Sequence, residues 1–283
     1  MNPFEHYSPK TLPDALKLLA QMNGRALVNA GGTDLMLKMK AGVLAPEVVV
    51  NIKQLPELKG IAYDDAAGLR LGALATLREL TRSAVIRDRY PSLAQAAGVM
   101  ASEQIRSFAT VGGNLCNAAP SADLAPPLIA LEGTAVIAGP NGERVLPLEA
   151  FFLSPGQSAL EPGELLKEIQ LPPPTGRTIY LKHAPRAYMD IAVVGVAVRL
   201  HLENGSCREA RIVLAAVAPV PLRAREAEVV LEAETMTVGR IAQAAQIAAE
   251  TCSPIDDVRS SAWYRRRMVK VLTHRSLQSL ITP

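Results

Sequence analysis

Two short segments, each with a pair of adjacent glycines, are the clearest candidates for a binding site. The first comprises Ala30, Gly31, Gly32, Thr33, Asp34 and Leu35, and the second includes Thr110, Gly112, Gly113 and Asn114. A glycine pair in a loop can adopt positive φ and direct consecutive N–H groups at one point, which suits a phosphate oxygen. The first segment also opens a predicted helix, whose N-terminus favours an anion. We expect the two segments to bind the two phosphates of a dinucleotide from opposite sides. The alternative is that both are tight turns without a ligand.

Neither segment fits G-x-G-x-x-G or G-x-x-x-x-G-K-[ST], which disfavours a Rossmann nicotinamide site and a P-loop NTPase. Ser121 and Asp123 follow the second segment and are typical of either a helix cap or a ligand contact. Asp123 is the better ligand candidate because it lies just downstream of the glycines. Cys116 is interpreted as a small buried hydrophobe or as a group near the ligand. Its spacing from Cys207 and Cys252 predicts neither a disulfide scaffold nor a metal cluster in this chain.

The composition limits the classes of protein to consider. The chain has 283 residues, 49% of them hydrophobic and 20% charged, so a globular protein of one large or two medium domains is expected. The net charge of +3 and the aromatic content of 4% disfavour nucleic acid as a partner. No apolar run is long enough for a transmembrane segment, and the N-terminus lacks the apolar stretch of a signal peptide. We therefore expect a cytoplasmic protein.

Turn and capping signals indicate the elements that position these residues. Thr11 and Asp14 form a capping-box pattern before a helix, and Asn-Gly pairs at 141–142 and 204–205 predict two hairpins. Prolines 172–174 can neither continue a helix nor donate to a central sheet, so a domain boundary is predicted there. The predicted strands include 25–29, 47–52, 69–73, 134–138, 144–148, 191–202 and 207–217, and the predicted helices are 13–22, 34–40, 76–84, 91–101, 238–251 and 261–280. Strands and helices in this order predict an α+β fold.

Five motifs in this order resemble a known family. They are the two glycine segments, the Ser121-x-Asp123-Leu stretch that follows them, the segment from Tyr180 to Ala192, and the closing segment from Ser261 to Met268. The chain resembles the FAD-binding medium subunit of molybdenum hydroxylases, a family that includes xanthine dehydrogenase and carbon monoxide dehydrogenase subunits. The resemblance implies a bipartite PCMH, or vanillyl-alcohol-oxidase-type, FAD-binding domain over 1–174, with subdomains of about 1–55 and 56–174. A small C-terminal α+β domain, an antiparallel sheet with helices, would occupy 177–283.

The resemblance also implies roles for particular residues. Both glycine segments would cradle the FAD pyrophosphate, and Asp123 would hold the ribityl chain or the polar flavin edge. Lys182 would lie at the flavin end, where a positive charge stabilises reduced flavin. Asp190 and Ile191 would lie on a loop that borders the isoalloxazine and sets acceptor access. His183 is left open as a further group near the cofactor, and no catalytic or metal-binding residue is assigned to this chain.

The resemblance further implies partner subunits. A large subunit would hold the molybdopterin cofactor and a small subunit would hold 2Fe-2S clusters, in a heterohexamer built as a dimer of heterotrimers. Electrons would pass from the clusters through FAD to an external acceptor. Thr33, where the carbon monoxide enzymes tend to carry His, weakens a carbon monoxide assignment. Met189, where NAD-using relatives carry an acidic residue, weakens NAD as the acceptor. The organic substrate and the acceptor stay open.

Two other functions are alternatives. A stand-alone flavin reductase similar to UDP-N-acetylenolpyruvoylglucosamine reductase would need a catalytic acid, which the sequence does not clearly provide. A scaffold subunit whose glycine pairs are turns only is the other. The basic run from Arg265 to Arg267 is expected on a solvated helix face, with docking onto an acidic neighbouring subunit as the alternative.

Overall fold

The computed structural model describes residues 1–232 and 234–281, and its first layer is a parallel sheet with two helices. The elements are β1 Glu5–Tyr7, α1 Leu12–Met22, β2 Ala26–Asn29, α2 Leu35–Lys40 and β3 Val48–Asn51, with the strands in the order β1-β3-β2. The side chain of Thr11 accepts a hydrogen bond from the N–H of Asp14, which confirms the predicted helix start. Asn29 lies opposite Asn51 in the parallel register, so the segments that follow β2 and β3 leave the same edge of the sheet.

The second sheet is antiparallel and has five strands. The strands are β4 Ile61–Asp64, β5 Gly68–Gly72, β6 Thr134–Gly139, β7 Gly142–Pro147 and, after two strands that pair only with each other, β10 Leu165–Leu171. Those two are β8 Phe152–Ser154 and β9 Gln157–Ser158. The strand order of the large sheet is β4-β5-β10-β6-β7. The hairpin predicted at Asn141-Gly142 joins β6 to β7. Two short 3-10 turns lie at Pro56–Leu58 and Leu148–Ala150.

Six short helices lie between β5 and β6 in the chain, and α7 contacts β5 and β10 of this sheet. They are α3 Leu77–Arg82, α4 Ala84–Arg89, α5 Pro91–Gly98, α6 Glu103–Arg106, α7 Val111–Cys116 and α8 Ala125–Ala130. Leu77, Leu93 and Leu128 are fully buried and belong to one core with the strand residues Leu71 and Ile169. The helix predicted over 76–84 ends at Arg82, because Ser83 caps a separate helix by accepting the N–H of Ile86. This layer supplies the second glycine segment.

The C-terminal part is a third, antiparallel sheet covered by helices. It contains β11 Arg177–His183, β12 Val194–Glu203, β13 Ser206–Ala215, β14 Leu222–Arg223, α9 Arg225–Leu231, β15 Glu234–Thr235, α10 Val238–Thr251 and α11 Ala262–Ile281. The strand order is β11-β12-β13-β14, and β15 pairs with β13. Asn204 and Gly205 have φ of 51° and 80°, which confirms the predicted hairpin turn. Parallel and antiparallel sheets with segregated helices agree with the predicted α+β class.

The predicted boundary at 172–174 falls between β10 and β11, and packing continues across it. Tyr180 of β11 belongs to the core of the second sheet, and its N–H donates to Gln95 Oε1 at 2.8 Å. Tyr90 Oη donates to the carbonyl of Pro172 at 2.8 Å. The C-terminal sheet is therefore held against α5, with the end of β11 fixed relative to the helices that carry the second glycine segment.

Candidate functional site

The first glycine segment leaves the edge of the parallel sheet and enters α2. Gly32 has φ of +80°, and a Cβ on Gly31 would lie 2.2 Å from the carbonyl oxygen of Phe108, so both positions require glycine. The N–H groups of Gly31, Gly32 and Thr33 donate to no other residue within the described ranges. Asn29 Oδ1 is buried beside Gly32 and also lacks a hydrogen-bond partner among the residues that the structure describes. These unpartnered donors and this acceptor are suited to a polar ligand.

The second glycine segment differs from its prediction as a loop. It forms the start of α7, and neither Gly112 nor Gly113 has positive φ. Gly112 donates to the carbonyl of Ala73 at 2.8 Å, and Gly113 donates to Thr110 Oγ1 at 3.0 Å. A Cβ on Gly112 would lie 2.7 Å from the Cβ of Ala73, so glycine here permits close packing rather than an open nest of N–H groups. The free polar atom of this segment is Asn114 Oδ1, which is buried without a partner in the described part of the chain.

The structure brings the two segments together at one cleft of about 270 Å³. Its lining residues are Ala30, Gly31, Lys53, Lys59, Leu74, Thr76, Glu79, Ser107, Phe108 and Thr110. Lys53 and Lys59 were not predicted as site residues. The signal that could have found Lys53 is the parallel pairing of β2 with β3, which places the residues after both strands at one edge. The two lysines give the cleft a positive lining that attracts an anion.

A wider, shallower cleft of about 520 Å³ adjoins the first and shares Thr76, Glu79 and Ser107 with it. Glu79 is committed to helix capping, because its carboxylate accepts from the N–H and the hydroxyl of Thr76 at 2.7 Å each. This capping box orients Thr76 and Glu79, which line both clefts.

Asp123 and Lys182, both predicted site residues, meet in the interior. Lys182 Nζ lies 2.9 Å from Asp123 Oδ2, and the two side chains are 7% and 8% exposed. Tyr180 Oη donates to Asp123 Oδ1 at 2.6 Å. Burial raises the pKa of Asp123, and the charge of Lys182 and the hydroxyl of Tyr180 oppose this rise. Asp123 does not cap a helix, because α8 begins after Leu124. We name these three residues the Asp123 cluster.

A hydrogen bond joins α2, which follows the first glycine segment, to the end of α7, which contains the second. Lys38 Nζ of α2 donates to Asn117 Oδ1, the residue that ends α7, at 2.7 Å. Asn117 also begins the segment that leads to Asp123. The helix after the first glycine segment is therefore hydrogen-bonded to the end of the second, and the chain continues from there to the Asp123 cluster.

Asp190 and Ile191 lie on an exposed loop after β11. The carboxylate of Asp190 accepts from Arg186 Nε at 3.1 Å and from the N–H of Ile191 at 2.9 Å. These bonds, that of Arg186 first, hold the pKa of Asp190 below its usual value. Ile191 is 44% exposed and the neighbouring Tyr188 is 81% exposed, so this loop presents apolar surface. The bonds of Asp190 stay within its own loop.

The structure also places Arg265, His183 and Cys116. Arg265 is 3% exposed and lies in the interior, so its predicted place on a solvated face is wrong, whereas Arg266 and Arg267 are exposed. His183 Nε2 lies 3.3 Å from Tyr264 Oη, which ties the end of β11 to α11. Burial raises the pKa of the Cys116 thiol to about 12, so this residue is an unreactive thiol at neutral pH.

No group of three or more His, Cys, Asp or Glu residues suited to a metal ion occurs in residues 1–232 and 234–281. Over the same residues, no helix combines the length and apolarity needed to cross a membrane.

Two family models match this chain, one over the part that carries both glycine segments and one over the C-terminal sheet. Residues 2–174 match the FAD binding domain in molybdopterin dehydrogenase, and residues 179–280 match the CO dehydrogenase flavoprotein C-terminal domain. The chain belongs to this family of molybdopterin dehydrogenase flavoproteins. The family assignment made from the five motifs is confirmed.

Whole-chain relatives support the same conclusion. The chain is 30% identical to the xanthine dehydrogenase FAD-binding subunit of Escherichia coli O157:H7, over 98% of this chain and 95% of that protein. It is 32% identical to the carbon monoxide dehydrogenase medium chain of Hydrogenophaga pseudoflava, over 98% and 96% respectively. A solved carbon monoxide dehydrogenase from that organism, lacking the Mo-pyranopterin moiety, superposes with a TM-score of 0.95 at 34% identity, covering 99% of this chain and 98% of that one. These relatives are subunits of dehydrogenases.

Proposed function

We propose that this chain binds FAD with the pyrophosphate at the cleft between the two glycine segments. The observation that carries the proposal is the set of unpartnered N–H groups at Gly31, Gly32 and Thr33, beside a cleft lined by Lys53 and Lys59. Backbone donors and lysine charges together suit a diphosphate. Glycine at 31 keeps the segment in contact with Phe108, so the cradle is rigid before the cofactor binds.

The remaining contacts to FAD are distributed over both segments. Asn29 Oδ1 and Asn114 Oδ1, buried and without partners among the described residues, would accept hydrogen bonds from the cofactor. Ala30, Asp34 and Leu35 would hold the rest of the first cradle, and Thr110, Gly112 and Gly113 would form the wall of the second. The glycines of α7 serve packing, so this wall would contribute side-chain atoms more than backbone N–H groups.

The flavin half would lie toward the Asp123 cluster and the loop that carries Asp190 and Ile191. The charge of Lys182 is partly balanced by Asp123, so the cluster would offer a hydrogen-bonded and moderately positive edge rather than a free ammonium group. When bound, FAD supplies a ring that accepts electrons and passes them on. The residues of this chain would bind and orient that ring, and the exposed loop after β11 would control access to it.

The complex would have the organisation implied by its relatives, whose names describe medium chains and FAD-binding subunits. A large subunit with a molybdopterin cofactor and a small subunit with 2Fe-2S clusters would assemble with this chain as a dimer of heterotrimers. Electrons would pass from the clusters through FAD to an external acceptor, and the domains would divide at 174 and 177. A cytoplasmic location is supported by Cys116, Cys207 and Cys252, which are free, as is usual in a reducing compartment.

Ligand discrimination by the cleft tests the pyrophosphate assignment. FAD, ADP and riboflavin are titrated into the flavin-free chain, into Lys53→Gln/Lys59→Gln and into the control Lys17→Gln, an exposed residue of α1. Loss of both lysine charges is expected to weaken the binding of FAD and ADP by about thirtyfold, since two contacts to phosphate of about 1 kcal/mol each, after solvent screening, sum to about 2 kcal/mol. Riboflavin lacks the diphosphate and should be unaffected. Equal weakening of all three ligands would contradict a pyrophosphate at this cleft.

Co-purification tests the complex. The chain expressed with its native partner subunits should be isolated with two other polypeptides, and metal analysis should find molybdenum and iron. A chain that is isolated alone and turns over NAD(P)H would support the stand-alone flavin reductase instead.

A further inference from the structure

Arg265 of α11 makes three hydrogen bonds in the interior, where a solvated side chain was expected. Its Nη1 donates to the carbonyl of Val193 at 2.8 Å and to that of Ala216 at 3.1 Å. Its Nη2 donates to Asp257 Oδ1 at 2.7 Å. The guanidinium therefore holds the carbonyl before β12, the carbonyl after β13 and one carboxylate at a single buried point.

The first carbonyl belongs to the loop proposed to border the flavin. The N–H of Val193 donates to the carbonyl of His183 at 2.8 Å and closes the loop that runs between them and carries Asp190. His183 directly follows Lys182, the cationic member of the Asp123 cluster. Holding Val193 therefore holds the base of this loop next to Lys182.

The second carbonyl leads to the other side of the same cluster. Ala216 has φ of 63°, a left-handed conformation that a non-glycine residue adopts only when its surroundings impose it. Its N–H donates to the carbonyl of Pro120 at 2.7 Å, three residues before Asp123, while its carbonyl accepts from Arg265. The strained residue is thus fixed from both sides.

We propose that Arg265 is a positioning residue for the Asp123 cluster. It holds Val193, which is bonded to the residue after Lys182, and Ala216, which is bonded to the segment before Asp123. The importance of this for the cofactor rests on the proposed function. Arginine suits the task because its planar fork can donate to several acceptors at fixed angles, which an ammonium group cannot do. Asp257 balances the charge of Arg265, so the buried guanidinium needs no acidic residue from a partner subunit.

The test measures hydrogen exchange at two amides in the flavin-free chain, those of Val193 and Ala216. Arg265→Met and Arg265→Lys are compared with Arg266→Met, an exposed neighbour of the same type. The proposal predicts exchange at both amides about tenfold faster in Arg265→Met and about threefold faster in Arg265→Lys, because local opening loses its restraint. Arg266→Met should match the wild type. If Arg265→Met does not fold, Arg265→Lys decides the test.

The same variants are then titrated with FAD and examined by visible circular dichroism of the bound flavin. A positioning role predicts an altered flavin signal and about tenfold weaker binding for Arg265→Met, with Arg265→Lys between it and the wild type. A lower melting temperature with unchanged exchange at both amides and an unchanged flavin signal would overturn the proposal. Failure of the wild-type chain to bind FAD would instead overturn the proposed function, since the exchange measurement needs no flavin.

Discussion

Replacing Lys182 with methionine should leave the Asp123 carboxylate in the interior without a counter-charge. The two groups are 2.9 Å apart and each side chain is less than a tenth exposed. Their attraction at this distance, in an effective dielectric constant near 20, is about 6 kcal/mol before the cost of removing both charges from water. Removing one member of a buried pair costs about 3–5 kcal/mol in general. Because Tyr180 still donates to Asp123, we expect a loss of about 3 kcal/mol in the free energy of unfolding.

This loss should depend on pH with a definite sign. Burial raises the pKa of Asp123 in the folded chain, so its ionisation disfavours folding as the pH rises from about 4 through the folded pKa. Removing Lys182 raises that folded pKa further. The destabilisation by Lys182→Met should therefore be larger at about pH 8 than at about pH 5, where the carboxyl group is closer to neutral. The assay is urea denaturation of the flavin-free chain, followed by far-UV circular dichroism at both values.

A double-mutant cycle and an exposed pair provide the controls. Asp123→Asn/Lys182→Met removes both charges and should recover most of the lost stability. Lys167→Met breaks the more exposed Lys167–Glu143 pair and should cost less than about 1 kcal/mol. If Lys182→Met costs no more than Lys167→Met, or if its cost does not change with pH, the reasoning about a buried and coupled cluster is refuted.

Three other measurements probe separate features. Gly32→Ala and Gly24→Ala both place alanine at positive φ, +80° and +82°, and each should lower the free energy of unfolding by about 1 kcal/mol through backbone strain, with a further loss for Gly32→Ala from its close contact. In FAD titrations only Gly32→Ala should lose affinity, because its Cβ would lie 2.8 Å from Asn29 Oδ1, whereas nothing lies within 4 Å of that of Gly24. Acid unfolding should show stability lost between about pH 4 and pH 2, because the folded pKa of Asp257 is lowered to about 2. Burial opposes this lowering, but the N–H groups of the following turn and Arg265 outweigh it. Asp257→Asn should remove this pH dependence. Alkylation of Cys116, followed by mass spectrometry, should be slow in the native chain and fast in urea, because the thiolate is the nucleophile.

Elements with strong local signals were predictable from the sequence. The capping box at Thr11, the Asn204-Gly205 turn and the prediction of a helix over 238–251 all agree with the structure, because capping and turn chemistry depend on neighbouring residues. The first glycine segment also has the predicted position between a strand and a helix. The domain limits and the cofactor roles of individual residues stay predictions.

Features that depend on distant contacts were not predictable in this way. The second glycine pair is helical because the carbonyls of Ala73 and Ala75 capture the N–H groups of Gly112 and Val111. Arg265 resembles its exposed neighbours in sequence, and its two carbonyl acceptors come from the residues that flank β12 and β13. Such partners are separated by tens of residues, so no local pattern indicates them.

The most direct test of the account is the flavin stoichiometry of the purified chain. The flavin-free protein is titrated with FAD while the flavin absorbance and fluorescence are followed, and the bound cofactor is identified after release. The account predicts saturation at a single FAD per chain, with competition by ADP at the cleft between the glycine segments. A chain purified without flavin that shows no spectral change on titration with FAD would contradict the account.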